Sequence, residues 1–232
     1  MNQKIIISWS GGRDSTLVLN HLLNQNGIEI YSLITTLRKS DEMMSIHYVA
    51  GELIAQQAES LGFQLDKILL PDAPKNKEWE ASFKNYLRTK SNDIQIAYGD
   101  LFLEDIKQYR ESLHAHLPIQ CIFPIWKRNT ARLAHYFIDE GFKAVVTSVN
   151  LKVLDSSFAG RKYDKSFIQD LPSNIDPCGE NGEFHSFVYD GPIFKHRVPF
   201  SQEPMKVEKI DHGSHHFKMA YTKLTTIKSK VQ

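Results

Sequence analysis

Two clusters of residues have types and spacing suited to chemistry. The first is Ser10-Gly11-Gly12-Arg13-Asp14-Ser15-Thr16, which follows the apolar run Ile5–Ile7 and opens a helical pattern. Glycines let backbone approach a ligand closely. The first N–H groups of a helix lack partners within it, and with the helix dipole they favour an anion, most simply a phosphate. Ser10, Ser15 and Thr16 add hydroxyls, Arg13 adds a cation, and Asp14 could reach a hydrated Mg²⁺. The pattern is neither G-x-x-x-x-G-K-[ST] nor G-x-G-x-x-G.

The second cluster is Asp176-Pro177-Cys178-Gly179-Glu180-Asn181-Gly182-Glu183-Phe184-His185. Glycines flank and separate two glutamates, and a period of two begins at Glu183. Glu183, His185 and Phe187 then share one strand face, and Phe184, Ser186 and Val188 the other. Carboxylates and a histidine whose pKa values are tuned by neighbours can act as general bases, or hold an ammonium ion or an amine.

These clusters need a scaffold. The pattern predicts strands at Ile5–Trp9, Ile28–Thr35, Asp66–Leu70, Asp93–Tyr98 and Ile119–Phe123. Helices are predicted at Ser15–Asn26, Tyr48–Leu61 and Lys77–Thr89, and around Phe102, Ile106, Tyr109 and Leu113. Strands alternating with helices imply parallel βαβ units and a doubly wound sheet. Ligands of such sheets bind at the carboxyl ends of the strands. There lie Ser10–Thr16, Thr35-Thr36 and Gly99-Asp100, with a phosphate expected on the first turn. The polar turn Arg38–His47 reads as a lid or a solvated loop. Trp79, Trp126 and Cys121 read as core, and His114 and His116 as structural.

Beyond Trp126 a helix to Glu140 and a strand Ala144–Val149 are predicted, then a polar, loop-rich stretch Leu151–Pro177. The fold class is therefore α/β. A five-stranded parallel Rossmann-like domain, residues 1–127, precedes a smaller α+β domain, residues 128–232. From Ser201 the chain reads as polar and basic, with Tyr221–Val231 a strand plus tail. His212, His215 and His216, with Asp211, have a spacing that could touch a metal, but the segment reads as an unstructured solvated tail. No metal ligand is assigned.

The motifs carry a resemblance. S-G-G-x-D-S is similar to the PP-loop of the ATP pyrophosphatase superfamily. Together with Gly99-Asp100, Phe123-Pro124-Ile125-Trp126, Gly160-Arg161, the Glu180–Phe184 segment and Asp190-Gly191-Pro192, it resembles the diphthine–ammonia ligase family over residues 4–200. The resemblance implies ATP on Ser10, Gly11, Gly12, Arg13, Asp14 and Ser15, with Gly99 and Asp100 alongside and Mg²⁺ as companion. A substrate carboxylate is adenylated, pyrophosphate leaves, and ammonia gives an amide and AMP. Glu180, Glu183 and His185 would bind or activate the nitrogen donor or orient the acceptor. The chain departs from the family in two places. Arg13 stands where lysine is usual, and His185 where E-G-G-E-x-E has its third glutamate. The implied acceptor is diphthine on elongation factor 2 for a true member, and another carboxylate for a divergent one.

Composition bounds the alternatives. The 232 residues are 41% hydrophobic and 24% charged with net charge +1, which argues against nucleic acid as a partner. No apolar run has membrane-spanning length and the first residues lack a signal-peptide pattern, so the chain reads as cytoplasmic. Two cysteines make no disulfide framework. A homo-oligomer stays open. The rival readings are a PP-loop tRNA-modifying enzyme, with Cys178 its better thiol, and a non-catalytic adenine-nucleotide regulator.

Overall fold

The computed structural model describes residues 2–72, 76–212 and 215–227; side chains 210–212, 215 and 216 are outside that description. The first half alternates β1 (Gln3–Ser8), α1 (Arg13–Leu23), β2 (Ile28–Arg38), α2 (Gly51–Leu61), β3 (Leu65–Leu70), α3 (Asn76–Arg88), β4 (Ile94–Ala97), α4 (Glu104–His114) and β5 (Cys121–Ile122). The five strands form one sheet in the order β3-β2-β1-β4-β5, and every pairing is parallel. Such strands are covered on both faces, so they read as continuous apolar runs. Alternation within β1 shows the two layers. Ile5 and Ile7 pack with Leu19 and Leu22 of α1 and Leu53 and Ile54 of α2. Ile6, between them, packs with Phe83 and Leu87 of α3 and Leu113 of α4. The sheet is doubly wound, and its order reverses at β1, the strand that ends in the glycine turn.

The chain continues as α5 (Thr130–Asp139), β6 (Lys143–Asn150), a 3₁₀ turn (Ser156–Phe158), β7 (Lys162–Tyr163), α6 (Lys165–Asp170), β8 (Phe184–Asp190), β9 (Ser201–Gln202), β10 (Lys206–His212), β11 (His215–Tyr221) and β12 (Leu224–Thr225). β6 is central to a second, antiparallel sheet containing β7, β8, β10 and β11. Its inner residues, Val145, Val149, Phe184 and Phe187, belong to the same core as Ile5, Leu19 and Ile54. The second sheet therefore covers the α1–α2 side of the first. Among the described residues no helix is long and apolar enough to cross a membrane.

Several expectations are corrected. Helix α1 starts at Arg13 rather than Ser15, because Gly12 (φ −88°, ψ −179°) already serves as its N-cap. Helix α2 starts at Gly51 rather than Tyr48, since Tyr48 has φ +55° and Ala50 is extended. The stretch Leu151–Pro177 is not only loop: Asp164 caps α6 by accepting from Phe167 N at 3.0 Å, which lets Phe167 enter the core. The segment holding His212 and His215 is a hairpin, with those two residues paired in register across β10 and β11. The metal reading of His212, His215 and His216 rests on side chains outside the described residues, as does the tail beyond residue 227. Cys121 and Trp79 are half-buried and pack against the α3–α4 core, Trp79 also lining a cavity, whereas Trp126 is half-buried outside both core clusters. His114 is structural as expected, with Nδ1 2.8 Å from Ile119 O and Nε2 3.0 Å from the Tyr98 hydroxyl.

Candidate active site

The glycine turn is held from below rather than left free. Gly11 has φ +71°, and its carbonyl accepts from Val188 N at 2.9 Å and from Gln57 Nε2 at 2.9 Å. Gln57, fully buried on α2, also donates to Val188 O and accepts from Trp9 Nε1 at 2.7 Å. One amide therefore joins Trp9 just after β1, the turn at Gly11, and β8. Arg13 N donates to Ser186 Oγ at 3.3 Å. Within the turn, Gly12 N donates to Ser10 Oγ, and the Ser15 and Thr16 hydroxyls donate to Gly12 O. No side chain caps α1. Gln57 and Ser186 were not singled out from sequence. The available signal was a glutamine on the apolar stripe of α2, between Leu53-Ile54 and Leu61.

Close packing makes a prediction at Gly12. A Cβ there would stand 2.9 Å from Ser186 O, a backbone atom that cannot turn aside. Gly12→Ala is expected to push the turn off β8, costing about 1–3 kcal/mol. The urea midpoint should fall.

Two cavities meet at the turn. The larger, about 560 Å³, is lined by Trp9, Thr35, Leu37, His47 and Trp79 among others. The smaller, about 290 Å³, is lined by Ser10, Asp14, Asp100, Glu180, His185 and Ser186 among others. They share Ser8, Ser10, His47 and Arg110. The Arg38–His47 loop is thus part of the wall. It is pinned by Met43 and Met44, both buried, and by Ser148 Oγ donating to Ile46 O at 3.0 Å. A third cavity of about 990 Å³ lies away from the glycine turn, and its Asp41, Glu42 and Glu203 are paired with Arg38, Lys67 and Lys206. Size alone does not make it the site.

Arg13 does not extend freely towards an anion. Its side chain is 1% exposed, with the guanidinium forked onto Asp14 at 2.9 and 3.0 Å. It also donates to the carbonyls of Cys178 and Pro177, and lies 5.0 Å from the Tyr163 ring centre and 5.9 Å from that of Phe184. Burial works against its charge, but the Asp14, Cys178 and Tyr163 groups favour it and hold the guanidinium protonated. Burial also pushes Asp14 up, with Arg13 opposing. Cys178 sits behind this pair, its thiol raised by burial and donating to Thr130 O at 3.3 Å.

Gly99 packs on the Asp14 backbone, and Asp100 faces Arg110 at 3.6 Å, its carboxyl raised by burial. Glu180 Oε1 accepts from Leu101 N at 2.6 Å and Phe102 N at 3.4 Å, so the glutamate loop closes over the turn after β4. Burial raises Glu180 to about 7, with the charges of Asp14 and Asp100 adding to it. Glu183 is withdrawn from the cavity and 4% exposed. It accepts from Asp176 N, Asn181 N and Asn181 Nδ2, and so shapes the loop that carries Glu180.

His185 meets His47 with ring centres 4.5 Å apart. Burial lowers His185 to about 4 and His47 well below its usual value, so both are neutral at pH 7. Between pH 6.5 and 4 the unfolded chain binds protons that the fold refuses at His185, so stability is lost as pH falls through that window. Glu180 acts oppositely, since between about 4.5 and 7 the fold holds the extra proton. Comparing wild type with His185→Gln isolates the histidine. Between pH 6.5 and 4.5 the wild type should lose about 2 kcal/mol more than the variant in urea unfolding.

The residues fit a nucleotide. The glycine turn offers a close backbone approach at a helix start that no side chain caps. Thr35 Oγ1, His47 Nδ1, Asp100 Oδ2 and Arg110 Nε are buried around the cavities without hydrogen-bond partners. Among the described residues no three His, Cys, Asp or Glu side chains are grouped to hold a metal by themselves. Asp14 and Asp100 suit a Mg²⁺ that keeps phosphate and water ligands, as that ion ordinarily does.

Comparison with known proteins agrees with the motifs. The diphthamide synthase N-terminal domain model matches residues 3–119, and the diphthamide synthase C-terminal domain model matches residues 129–223. The diphthine–ammonia ligase of Schizosaccharomyces pombe is 24% identical over 232 residues, covering 91% of this chain and 38% of that protein. The diphthine–ammonia ligase of Danio rerio is 25% identical over 221 residues, covering 82% of this chain and 83% of that protein. The Homo sapiens diphthine–ammonia ligase is 25% identical over 115 residues, covering 47% of this chain and 43% of that protein. The chain thus spans well under half the length of the fission-yeast relative. Matched across both halves, the chain belongs to the diphthamide synthase, or diphthine–ammonia ligase, family.

Proposed function

We propose that the chain is an ATP-dependent ligase that forms AMP and pyrophosphate while joining ammonia to a carboxylate. The relatives' names make diphthine, the modified residue of elongation factor 2, the first acceptor to test. The observation that carries this reading is the cavity itself. Its lining includes both the glycine turn, through Ser10, Gly12 and Ser15, and the Glu180 carboxyl, whose pKa is about 7. A carboxylate is a poor electrophile, and transfer of AMP to it gives a good leaving group. Backbone at Gly12 and the Ser10 and Ser15 hydroxyls, which line the cavity, would hold the phosphates where charge develops on pyrophosphate. Mg²⁺, when bound at Asp14 and Asp100, would neutralise phosphate charge. Glu180 would accept a proton from the attacking ammonia, since its pKa sits near the working pH. His47 and His185, neutral, would offer an N–H to the acceptor carboxylate without holding it as a fixed ion pair.

The test is incubation with ATP, Mg²⁺, ammonium and diphthine-bearing elongation factor 2. Equal amounts of AMP, pyrophosphate and amide are expected. ADP as the nucleotide product, or no nucleotide cleavage with any carboxylate offered, would overturn the reading.

A further inference from the structure

This inference rests on ATP occupying the two joined cavities. Among the described residues that line them, the permanently charged cations are Arg13, Arg38 and Arg110. Arg13 is committed to Asp14 and to the carbonyls of the glutamate loop. Arg38 is forked onto Asp41 at 3.1 and 2.6 Å. Arg110, from α4, is in a different state. Its guanidinium carbon lies 4.7 Å from the Tyr98 ring centre and 5.9 Å from that of Trp79. Such stacking fixes the plane of a guanidinium without using its N–H groups. Its Nε is buried without a hydrogen-bond partner, and so is Asp100 Oδ2, the nearest acid oxygen at 3.6 Å. That distance is an ion pair but not a hydrogen bond. Arg110 also lines both cavities, at the junction a phosphate chain would cross in running from a base in the larger to an acceptor in the smaller.

We propose that Arg110 is the phosphate-binding arginine of this site. It takes the β- and γ-phosphates and then the departing pyrophosphate, the role that its position in the motif suggested for Arg13. Asp100 is its partner only while no phosphate is present. A planar fork already oriented by two rings loses little freedom on gripping a phosphate, and two charge-assisted hydrogen bonds become available.

The test measures binding of ATP, inorganic pyrophosphate and AMP to wild type, Arg110→Ala, Arg110→Gln and Arg110→Lys by calorimetry, with circular dichroism to confirm folding. Arg110→Ala and Arg110→Gln should weaken ATP and pyrophosphate by about 100-fold, the loss of two charged hydrogen bonds, and AMP by less than about threefold. Arg110→Lys, which keeps the charge without the fork, should fall between. Should Arg110→Ala fail to fold, the near-isosteric Arg110→Gln decides. Unchanged ATP affinity in folded variants, or ATP and AMP weakened equally, would overturn the assignment while leaving the ATP reading standing. A wild-type protein that binds no ATP overturns both.

Discussion

Glu180→Gln is expected to leave pyrophosphate release nearly intact and to slow amide formation by about 10³-fold. Both backbone donors, Leu101 N and Phe102 N, fall on Oε1 of Glu180. A glutamine carbonyl can accept the same two bonds, so the loop should keep its place over the turn after β4. The second oxygen becomes an amide that can take no proton. The change removes basicity with little change of shape. With free ammonia held constant, wild-type amide formation should rise as pH passes through about 7, where Glu180 ionises, and the variant should not show that rise. The measurement is separation of AMP, pyrophosphate and amide on a common time course. A variant that makes amide at the wild-type rate would remove Glu180 from the chemistry.

Arg13→Met is expected to cost about 3 kcal/mol of stability, the low end of the range for breaking a buried pair on one side. The low end applies because Asp14 is 29% exposed and keeps some contact with water. The loss includes the carbonyls of Pro177 and Cys178, which lose their donor, and the packing of the guanidinium over Tyr163. Arg13→Lys keeps the charge but not the fork, and should lose less. Removing both partners, Arg13→Met with Asp14→Asn, should recover part of the loss, because no bare charge is left buried. Urea unfolding with an unchanged slope checks all three. If Arg13→Met shifts the midpoint no more than a surface substitution does, the guanidinium is not the strut between the turn and the glutamate loop.

Much of the fold was legible because the chemistry is local. Ile5–Ile7 is a β-branched run bounded by turn residues, and Gly62 marks a helix end that the structure also has. The glycine turn, Asp14, Asp100 and the glutamate loop were named from spacing, and the structure brings them around one cavity. What could not be read depends on contacts between distant segments. Nothing local says that Arg13 turns towards Tyr163, 150 residues later in the chain, or that Gln57 joins three elements. Glu180 and Glu183 look alike in sequence, yet one reaches the cavity and the other holds its own loop. Arg110 is an ordinary exposed-looking residue of a helical pattern until Tyr98 and Asp100 are placed beside it. The β10–β11 hairpin was missed because β10 has only Val207 and Ile210 among charged residues and takes its order from pairing with β11, which in turn pairs with β6.

The central claim is that a carboxylate is adenylated in this cavity. An acceptor carboxylate labelled with ¹⁸O tests it most directly, followed by mass analysis of the AMP formed in the presence of ammonium. Attack of the carboxylate on the α-phosphorus carries one labelled oxygen into AMP for each amide made. That transfer is the predicted result. Unlabelled AMP alongside amide, or amide formed with ADP, would contradict it.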